Sequence, residues 1–352
     1  MVCIAAFIVL IIVGIFVAFI SIFKPKVGKR YLKILKKSWG CVGKRVTLQK
    51  CETGFGDEVK NSILSRVLIK KPKLVKPLSI AIEALSILLV IVTIWSLVEG
   101  VKAGLALWSL GTCNVQHAEA CSLGAEVCSI DAGSEPNNPV EYVGRWFEDW
   151  GEIFGAMPDK FRSWNVEEFD FKGVAVGDGD LKAIDIFDPG CVVCLQSFRN
   201  QLNAEYFEDG KVLLVPFPIQ DTEGKYKFKN SKLIVGYIFG AEKQGKTAEG
   251  TQISFEIMKR IYTEKDEEHR SYQDLFNDFY TAEDAEAKLQ SWLVEYGLDE
   301  ETQKKISDFA HSEEYEDIVQ KNNKIVVDDI HAKGIPTMIY DGGKHTGKYE
   351  VK

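Results

Sequence analysis

The sequence predicts an α/β domain, with a central sheet and helices on its faces, that follows two membrane-spanning helices. Three observations predict this arrangement. The first 110 residues contain two long apolar runs, strand and helix patterns alternate from residue 166 onward, and the net charge reverses from +12 over residues 1–110 to −20 over the remainder. A chain whose net charge reverses this strongly usually contains two separate structural parts. The acidic second part disfavours nucleic-acid binding.

The two apolar runs have the length of membrane spans. Residues 2–23 carry no charged side chain, and residues 78–98 carry only Glu83. About 20 helical residues, at roughly 1.5 Å each, cross the hydrocarbon core of a bilayer. We therefore expect a first transmembrane helix over residues 1–23 and a second over residues 78–110. Buried core helices are the alternative. A cleaved signal peptide is disfavoured, because the first run lacks a basic start and a small-residue cleavage pattern.

A basic loop separates the two runs. Residues 24–77 hold 16 Lys and Arg against three acidic residues. Because positively charged loops stay in the cytoplasm, the pattern predicts that the N-terminus and everything after residue 110 lie outside the cytoplasmic membrane. The lipid bilayer is thus an expected partner, and the charge of the loop suits anionic headgroups.

Residues 111–140 are rich in small and polar residues and predict an irregular linker outside the membrane. This linker carries Cys113, Cys121 and Cys128. Because disulfides persist outside the cytoplasm, we expect one internal pair, for example a structural disulfide between Cys121 and Cys128. The third thiol could pair with Cys3 near the outer end of the first span, carry a lipid or stay free. A redox relay from these cysteines to Cys191 is a further alternative.

Residues 141–165 predict an aromatic amphipathic helix. Its large apolar side chains recur three and four residues apart, at Trp146, Trp150, Phe154, Met157, Phe161 and Trp164. The helix could cover part of the following domain, or it could lie at the membrane interface, where Trp is favoured.

Residues 166–352 carry the patterns of the predicted α/β domain. Strands are expected at residues 167–177, 181–188 and 211–220, a helix from Cys191 to about Asn203, a helical block over residues 230–323, and a closing hairpin around the sequence DGGK. The C-x-x-C sequence formed by Cys191 and Cys194 therefore falls at a strand-to-helix turn.

Cys191 and Cys194 are the candidate catalytic residues. A cysteine at a helix N-terminus lies beside free backbone N–H groups and the positive end of the helix dipole, and both stabilise the reactive thiolate. We expect Cys191, which follows Asp-Pro-Gly, to be the exposed nucleophile and Cys194 to be the resolving thiol. A metal site is disfavoured, because it needs about four ligands and no second C-x-x-C or H-x-x-x-H accompanies the pair. Two inert buried thiols are the remaining alternative.

Asp185 lies six residues before Cys191, and Ile335 and Pro336 lie in a late Gly-Ile-Pro-Thr sequence. With these features, residues 165–352 resemble the thioredoxin superfamily, and the helical insertion resembles its DsbA-like branch of thiol–disulfide oxidoreductases. The resemblance implies a thioredoxin-like fold in which Cys191 attacks and Cys194 resolves. It implies a cis-proline at Pro336 and a backbone at Ile335 that pairs with an extended substrate chain. Asp185 takes the place of the buried acid that moves the proton of Cys194.

The resemblance and the topology together predict a membrane-tethered enzyme that exchanges disulfides in exported proteins. Its expected partners are exported proteins with thiols or disulfides and an unidentified redox protein that recycles the pair. No cofactor is expected besides the redox-active disulfide between Cys191 and Cys194. A reductase or isomerase, or a non-catalytic peptide-binding or chaperone module, is the alternative.

Two features depart from the pattern of the family. Val192 and Val193 stand between the cysteines, where DsbA proteins typically have Pro-His. Valine cannot stabilise a thiolate through charge, so the sequence predicts a less oxidising pair and leaves the direction of electron flow open. The sequence also stops after the last predicted strand, where the family usually adds a helix. We expect the Trp-rich helix at residues 141–164 to cover that face of the sheet instead.

Overall fold

The computed structural model describes residues 75–121, 126–130, 136, 138–220, 224–248 and 250–349. The first expected membrane span and the basic loop up to residue 74 lie outside the described residues. The chain divides into two compact units, residues 1–102 and residues 103–352.

Helices and short strands alternate along the described residues. The helices are α1 Val75–Leu110, α2 Pro139–Ala156, α3 Val192–Asn203, α4 Ser231–Gln244, α5 Ile253–Thr263, α6 Tyr272–Asp274, α7 Ala282–Glu295, α8 Glu300–Ala310 and α9 Glu313–Lys324. The strands are β1 Cys128–Ser129, β2 Val174–Val176, β3 Leu181–Phe187, β4 Lys211–Pro216, β5 Thr247–Ala248, β6 Thr251–Gln252, β7 Gly334–Ile335, β8 Thr337–Tyr340 and β9 Gly343–Thr346. Helices α6 and α9 continue as π-helical turns over Leu275–Phe279 and Ile325–Asp329.

One helix among the described residues is long and apolar enough to cross a membrane. The stretch Ile91–Leu110 of α1 has a mean hydropathy of 1.4. It starts later than the predicted run of residues 78–98 and includes Glu99 and Lys102. The whole of α1 has 36 residues, which at about 1.5 Å per residue is more than a bilayer core requires. That this helix crosses a membrane stays a prediction.

Five strands form one mixed sheet in the order β2–β4–β3–β8–β9. Strands β3 and β4 run parallel, and the other neighbours run antiparallel. The central strand β3 is buried over residues 183–187. A strand covered on both faces needs apolar side chains at successive positions rather than at alternate ones, and residues 183–187 have them except at Asp185. The one carboxylate in this strand is therefore placed inside the core.

The first strand of the sheet is shorter than the sequence predicts. We expected a strand over residues 167–177, but β2 contains only Val174–Val176. Residues Val166–Glu168 form a 3₁₀ turn instead, because the side chain of Asn165 accepts a hydrogen bond from the N–H of Glu167. Local side-chain capping of this kind competes with strand pairing.

The helices α4 to α9 lie between β4 and β7, where the sequence predicts a helical block. A small hairpin of β5 and β6 separates α4 from α5. Helix α4 approaches α8 closely, because a Cβ added at Gly236 or at Gly240 would lie 2.9 Å from the backbone of Ala310 or of Ile306. Helices α4 and α8 therefore pack directly against each other within the insertion.

Strands β8 and β9 form the closing hairpin that the sequence predicts. Asp341 and Gly342 at its turn have φ values of 51° and 72°, which two-residue hairpin turns of type I′ require. Beyond the hairpin, the backbone of Tyr349 is held by α3: its N–H donates to the Ser197 hydroxyl at 2.9 Å, and its carbonyl accepts from the Asn200 amide at 2.7 Å.

The aromatic helix α2 does not cover the sheet, and this prediction was wrong. Its buried residues Ile153 and Ala156 form a small cluster with Ala106, Leu110 and Val115, separate from the main core. Several large apolar side chains of α2 stay exposed, namely Val140, Tyr142, Val143, Phe147 and Phe154. These exposed side chains lie outside the cluster that buries Ile153 and Ala156.

Candidate active site

The C-x-x-C sequence lies where the central strand turns into a helix. Strand β3 ends at Phe187, Asp188-Pro189-Gly190 make the turn, and α3 begins at Val192. Cys191 is the N-cap of α3, and its Sγ accepts a hydrogen bond from the N–H of Cys194 at 3.4 Å. The first turn of α3 therefore brings the two cysteines together, with the N-terminal N–H groups of the helix directed at the first one.

Asp188 holds this turn in place. Its buried carboxylate accepts hydrogen bonds from the N–H of Gly190 at 2.7 Å, from the N–H of Ile219 at 2.7 Å and from the hydroxyl of Ser231. Burial raises its pKa to about 6, although these hydrogen bonds lower it. Sequence reasoning missed Asp188. The signal was Asp-Pro-Gly itself, since an aspartate opening a turn accepts from the backbone two residues on.

The helical insertion reaches over the same turn. The amide of Gln273 donates to the carbonyl of Pro189 at 2.7 Å and to that of Cys191 at 3.1 Å, and Asn277 donates to the carbonyl of Gly190 at 2.8 Å. The hydroxyl of Tyr262 donates to the carbonyl of Asp188 at 2.8 Å. Each carbonyl of residues 188–191 thus has a side-chain donor from the insertion, which fixes the backbone that carries Cys191.

A cis-proline faces the cysteines. The Ile335–Pro336 bond is cis, as the resemblance implies. The carbonyl oxygen of Ile335 lies 3.9 Å from Sγ of Cys191, 144 residues away along the chain. Ile335 is fully buried, and its strand β7 ends directly before Pro336.

Cys191 forms a disulfide with Cys128, and its exposed fraction is 0%, which corrects the prediction of an exposed Cys191. Cys194 is a free, buried thiol beside this disulfide, so the redox-active disulfide between Cys191 and Cys194 stays a prediction. The physical reason that Cys191 is covered is strand pairing: β1 lies antiparallel to β7, with Cys128 opposite Ile335, so its side chain reaches Cys191 and covers it.

The structural disulfide expected between Cys121 and Cys128 is also wrong. Cys121 pairs with Cys113, eight residues earlier, with the two Cα atoms 5.4 Å apart. A 3₁₀ turn over Ala118–Ala120 returns the chain toward Cys113, and the N–H of Cys113 donates to Sγ of Cys121 at 2.8 Å. The linker therefore divides its three cysteines between a local loop and the site.

Cys194 lies beneath the disulfide. Burial raises the pKa of its thiol well above the ordinary value, and the nearby carboxylates of Asp188 and Asp185 raise it further, while a hydrogen bond to the backbone of Asp188 lowers it. An ordinary thiol at this position stays protonated near neutral pH. It becomes a nucleophile only when a nearby group takes its proton.

Asp185 is one of the two buried carboxylates that affect the pKa of Cys194. It is buried in β3, and burial raises its pKa to about 6, although a hydrogen bond from Gln201 lowers it. The amide of Gln201 donates to Oδ2 at 2.7 Å, and Oδ1 has no hydrogen-bond partner among the described residues. A buried carboxylate with one open oxygen and a pKa near 6 can accept a proton at neutral pH.

The structure thus brings together most of the predicted site. Cys191, Ile335 and Pro336 meet at the N-terminus of α3, and Asp185 lies close enough to Cys194 to change its pKa. Cys121 lies in the separate loop with Cys113. Over the described part of the chain, no three His, Cys, Asp or Glu side chains are grouped to hold a metal ion.

The strand order of the sheet, the C-x-x-C at the start of the helix after the central strand, and the cis-proline before the next antiparallel strand define a thioredoxin-like α/β fold. No protein-family model matches the chain. No curated protein matches it either.

Three solved structures with partial similarity to this chain come from bacteria. A thioredoxin-like oxidoreductase from Silicibacter pomeroyi DSS-3 is 15% identical, and the alignment covers 51% of this chain and 85% of that chain with a TM-score of 0.35. Alpha-DsbA1 of Wolbachia pipientis is 14% identical over 53% of this chain and 90% of that chain, with a TM-score of 0.38. MdbA, a thiol-disulfide oxidoreductase from Corynebacterium diphtheriae, is 13% identical over 50% and 91%, with a TM-score of 0.36.

Proposed function

We propose that the protein is a thiol–disulfide oxidoreductase that works through Cys191 and Cys194. The observation that carries this proposal is the disulfide at Cys191. It lies at a helix N-terminus, beside a cis-proline, above a second buried cysteine. An inert core cysteine would have no reason to sit at a helix N-cap within reach of two other thiols.

In the proposed reaction, a disulfide between Cys191 and Cys194 is attacked by a substrate thiolate at Cys191. The substrate–Cys191 bond forms, and Cys194 leaves as a thiolate that Asp185 or water protonates. A second substrate thiolate then attacks the substrate sulfur of the mixed disulfide, which forms the substrate disulfide and releases Cys191. Reduction of a substrate runs the same steps in reverse, with Asp185 accepting the proton of Cys194.

We further propose that the domain is tethered outside the cytoplasmic membrane and acts on exported proteins. Within α1, Ile91, Ile94, Leu97 and Val101 each expose half or more of their surface, which suits a lipid environment better than a soluble core. The basic loop before α1 supports an orientation with the active site outside. An impermeant thiol reagent applied to intact cells after mild reduction should then label Cys191 but not Cys41 in that loop. Equal labelling of both would contradict the topology.

The direct test of the enzyme is disulfide exchange by the full-length chain in detergent micelles. We expect the wild type to reduce insulin with dithiothreitol, or to oxidise a dithiol peptide, at a rate that Cys191→Ser abolishes. Cys113→Ser is the matched control, because it removes a cysteine of the separate loop. Equal rates in the wild type and in Cys191→Ser would refute the enzyme.

The direction of electron flow needs a reduction potential. A value near that of thioredoxin, about −270 mV, favours reduction of substrates, whereas one near about −120 mV favours oxidation. Two valines between the cysteines supply no charge to stabilise the thiolate of Cys191, so we expect the more reducing end of this range.

A peptide-binding module is the second candidate, and the pairing of β1 with β7 favours it. Strand pairing beside Pro336 needs backbone groups only and would work without thiol chemistry. Peptide binding that survives Cys191→Ser, together with no exchange activity in any variant, would select this function over the enzyme.

A further inference from the structure

We propose that Cys128 is an internal substrate of the Cys191/Cys194 pair, bound in the groove where external substrates bind. This inference rests on the proposed function and deepens it, because the bound segment shows which substrates the groove accepts. We call residues 127–130 the docked segment. It holds β1 and its neighbours Val127 and Ile130, and all four side chains are buried, with exposed fractions of 8% or less.

The docked segment binds as an added strand. Cys128 lies opposite Ile335 and Ser129 opposite Gly334, antiparallel, and the N–H of Ile130 donates to the carbonyl of Lys333 at 3.2 Å. The residues directly before a cis-proline are thus occupied by backbone from elsewhere in the same chain. An extended segment of another protein would meet the same donors and acceptors.

Gly334 makes room for this segment. A Cβ at Gly334 would lie 2.6 Å from Cγ2 of Val127 and 3.1 Å from the carbonyl oxygen of Cys128. The φ of Gly334 is not in the left-handed region, so the backbone itself would accept another residue. Close approach of a second strand is therefore the reason that the structure gives for glycine here.

Polar contacts fix the register of the docked segment. The hydroxyl of Ser129 accepts from the N–H of Glu119 at 2.9 Å, and the N–H of Ser129 donates to the carboxylate of Glu119 at 3.3 Å. Lys227 pairs with the same carboxylate at 2.5 Å and donates to the carbonyl of Ser129 at 3.4 Å. A slip by one residue would turn Cys128 away from Cys191 and leave these groups unpaired.

The internal exchange is balanced in atoms and electrons. Cys194 loses its proton to Asp185 or to water, and its sulfur attacks Sγ of Cys191. The Cys191–Cys194 bond forms as the Cys128–Cys191 bond breaks, and Cys128 leaves as a thiolate that takes a proton from water. The reaction converts one disulfide and one thiol into one disulfide and one thiol, so it needs no external oxidant or reductant.

The docked segment defines the substrate class. Val127 and Ile130 are buried on either side of Cys128, and Ser129 is small and buried. We infer that the groove takes extended segments with a cysteine, an apolar residue before it, a small residue after it and an apolar residue next. A tethered thiol has an effective concentration of about 1 mM, so an external peptide at about 10 µM is outcompeted roughly 100-fold while Cys128 is present.

Peptide mapping of the full-length chain in micelles tests whether the disulfide between Cys128 and Cys191 exchanges with Cys194. Trypsin, which cuts after Lys and Arg, has no cleavage site between Lys102 and Arg145 or between Lys182 and Arg199. Residues 103–145 therefore carry Cys128 on one peptide, and residues 183–199 carry both Cys191 and Cys194 on another. After alkylation without reduction, the two peptides should be joined in a fraction of the wild type, joined throughout in Cys194→Ser, and separate in Cys128→Ser.

Trapping of a peptide tests the competition. The probe is Glu-Val-Cys-Ser-Ile with thionitrobenzoate on its cysteine, and the readout is its adduct on peptide 183–199 by mass. Both variants are first reduced and freed of reductant, so that the thiolate of Cys191 attacks the cysteine of the probe and releases thionitrobenzoate. The adduct should accumulate up to about 100-fold more on Cys128→Ser/Cys194→Ser than on Cys194→Ser, where the thiolate of Cys128 attacks Cys191 and displaces the bound peptide. A scrambled probe, Ile-Cys-Glu-Ser-Val, should react about tenfold slower than the native order, because it misplaces both apolar anchors.

Two results would overturn the proposal. One is the absence of joined peptides in both the wild type and Cys194→Ser, and the other is equal trapping with and without Cys128. Either result, with exchange activity still present in the wild type, refutes the internal substrate and keeps the enzyme; loss of activity from every variant refutes the enzyme. If Cys128→Ser fails to fold, Gly334→Ala provides the second variant, since it displaces the docked segment and keeps all thiols.

Discussion

Replacing Asp185 with Asn should change the free energy of unfolding by an amount that depends on pH. The difference between the variant and the wild type should become more favourable to the variant as the pH rises from acidic to neutral. Asp185 is buried in the central strand, and burial raises its pKa to about 6. The folded state therefore holds a proton on this group at pH values where the unfolded state has lost it. By linkage, the wild type loses stability as the pH rises from about 4 to about 6, and Asn at the same position removes that loss.

The size of the effect follows from the pKa. The shift from the ordinary value of 3.8 to about 6 is roughly 2 pH units, and each unit is worth about 1.4 kcal/mol, which makes about 3 kcal/mol. An unpaired amide in the core costs about 1–3 kcal/mol at every pH, since Oδ1 of Asp185 has no hydrogen-bond partner among the described residues. Because this cost is the same at every pH, it cancels when the free-energy differences at two pH values are compared, and only the pH-dependent part remains.

The assay is urea unfolding of the full-length chain in micelles at pH 3, 5 and 7 under non-reducing conditions, followed by near-ultraviolet circular dichroism. The free energy of unfolding of Asp185→Asn minus that of the wild type should grow by about 3 kcal/mol from pH 3 to pH 7. The control is Asp209→Asn at an exposed carboxylate, where no comparable growth is expected. A flat difference for Asp185→Asn would refute the buried, proton-accepting carboxylate.

Three further predictions concern neighbouring groups. Asp188→Ala should destabilise the fold by about 3 kcal/mol or more in urea unfolding, because three donors lose their buried acceptor; a loss below about 1 kcal/mol would show that water replaces it. The rate at which Cys194 resolves a mixed disulfide at Cys191 should bend downward below about pH 6 in stopped-flow measurements, as Asp185 becomes protonated, and a bend that persists in Asp185→Asn would assign it to another group. Gly334→Ala should lower the fraction of joined Cys128 and Cys191 peptides, because the new Cβ would lie 2.6 Å from Cγ2 and 2.7 Å from Cβ of Val127. Val127→Gly added to it removes both of these atoms and should restore part of that fraction; no rescue would place the clash elsewhere.

Local patterns were sufficient to predict the parts of the site that are close in sequence. The strand before Cys191, the helix after it and the hairpin beyond Pro336 follow from apolar periodicity and turn residues, and all three are present. The cis bond at Pro336 followed from resemblance to a family, since nothing in the residues alone distinguishes a cis from a trans proline.

The partner of Cys191 could not be predicted in the same way. Cys128 lies 63 residues before it, and spacing along the chain carries no information about a contact that strand pairing creates. One expectation and one pattern that the sequence analysis did not use would together have suggested it. Ile335 was expected to accept an added strand, and Val-Cys-Ser-Ile, within the predicted irregular linker, has strand-forming residues around a cysteine. Both were present in the sequence, but only the three-dimensional register joins them.

The central claim is that Cys191 and Cys194 form a redox pair, and a redox titration of Cys128→Ser tests it most directly. The full-length variant is equilibrated in glutathione buffers of increasing potential, quenched in acid and alkylated, and the tryptic peptide of residues 183–199 is weighed. We predict one two-electron transition, from a peptide with two alkyl groups to a peptide with an internal disulfide between Cys191 and Cys194. A peptide that keeps Cys194 as a free thiol at every potential would contradict the account.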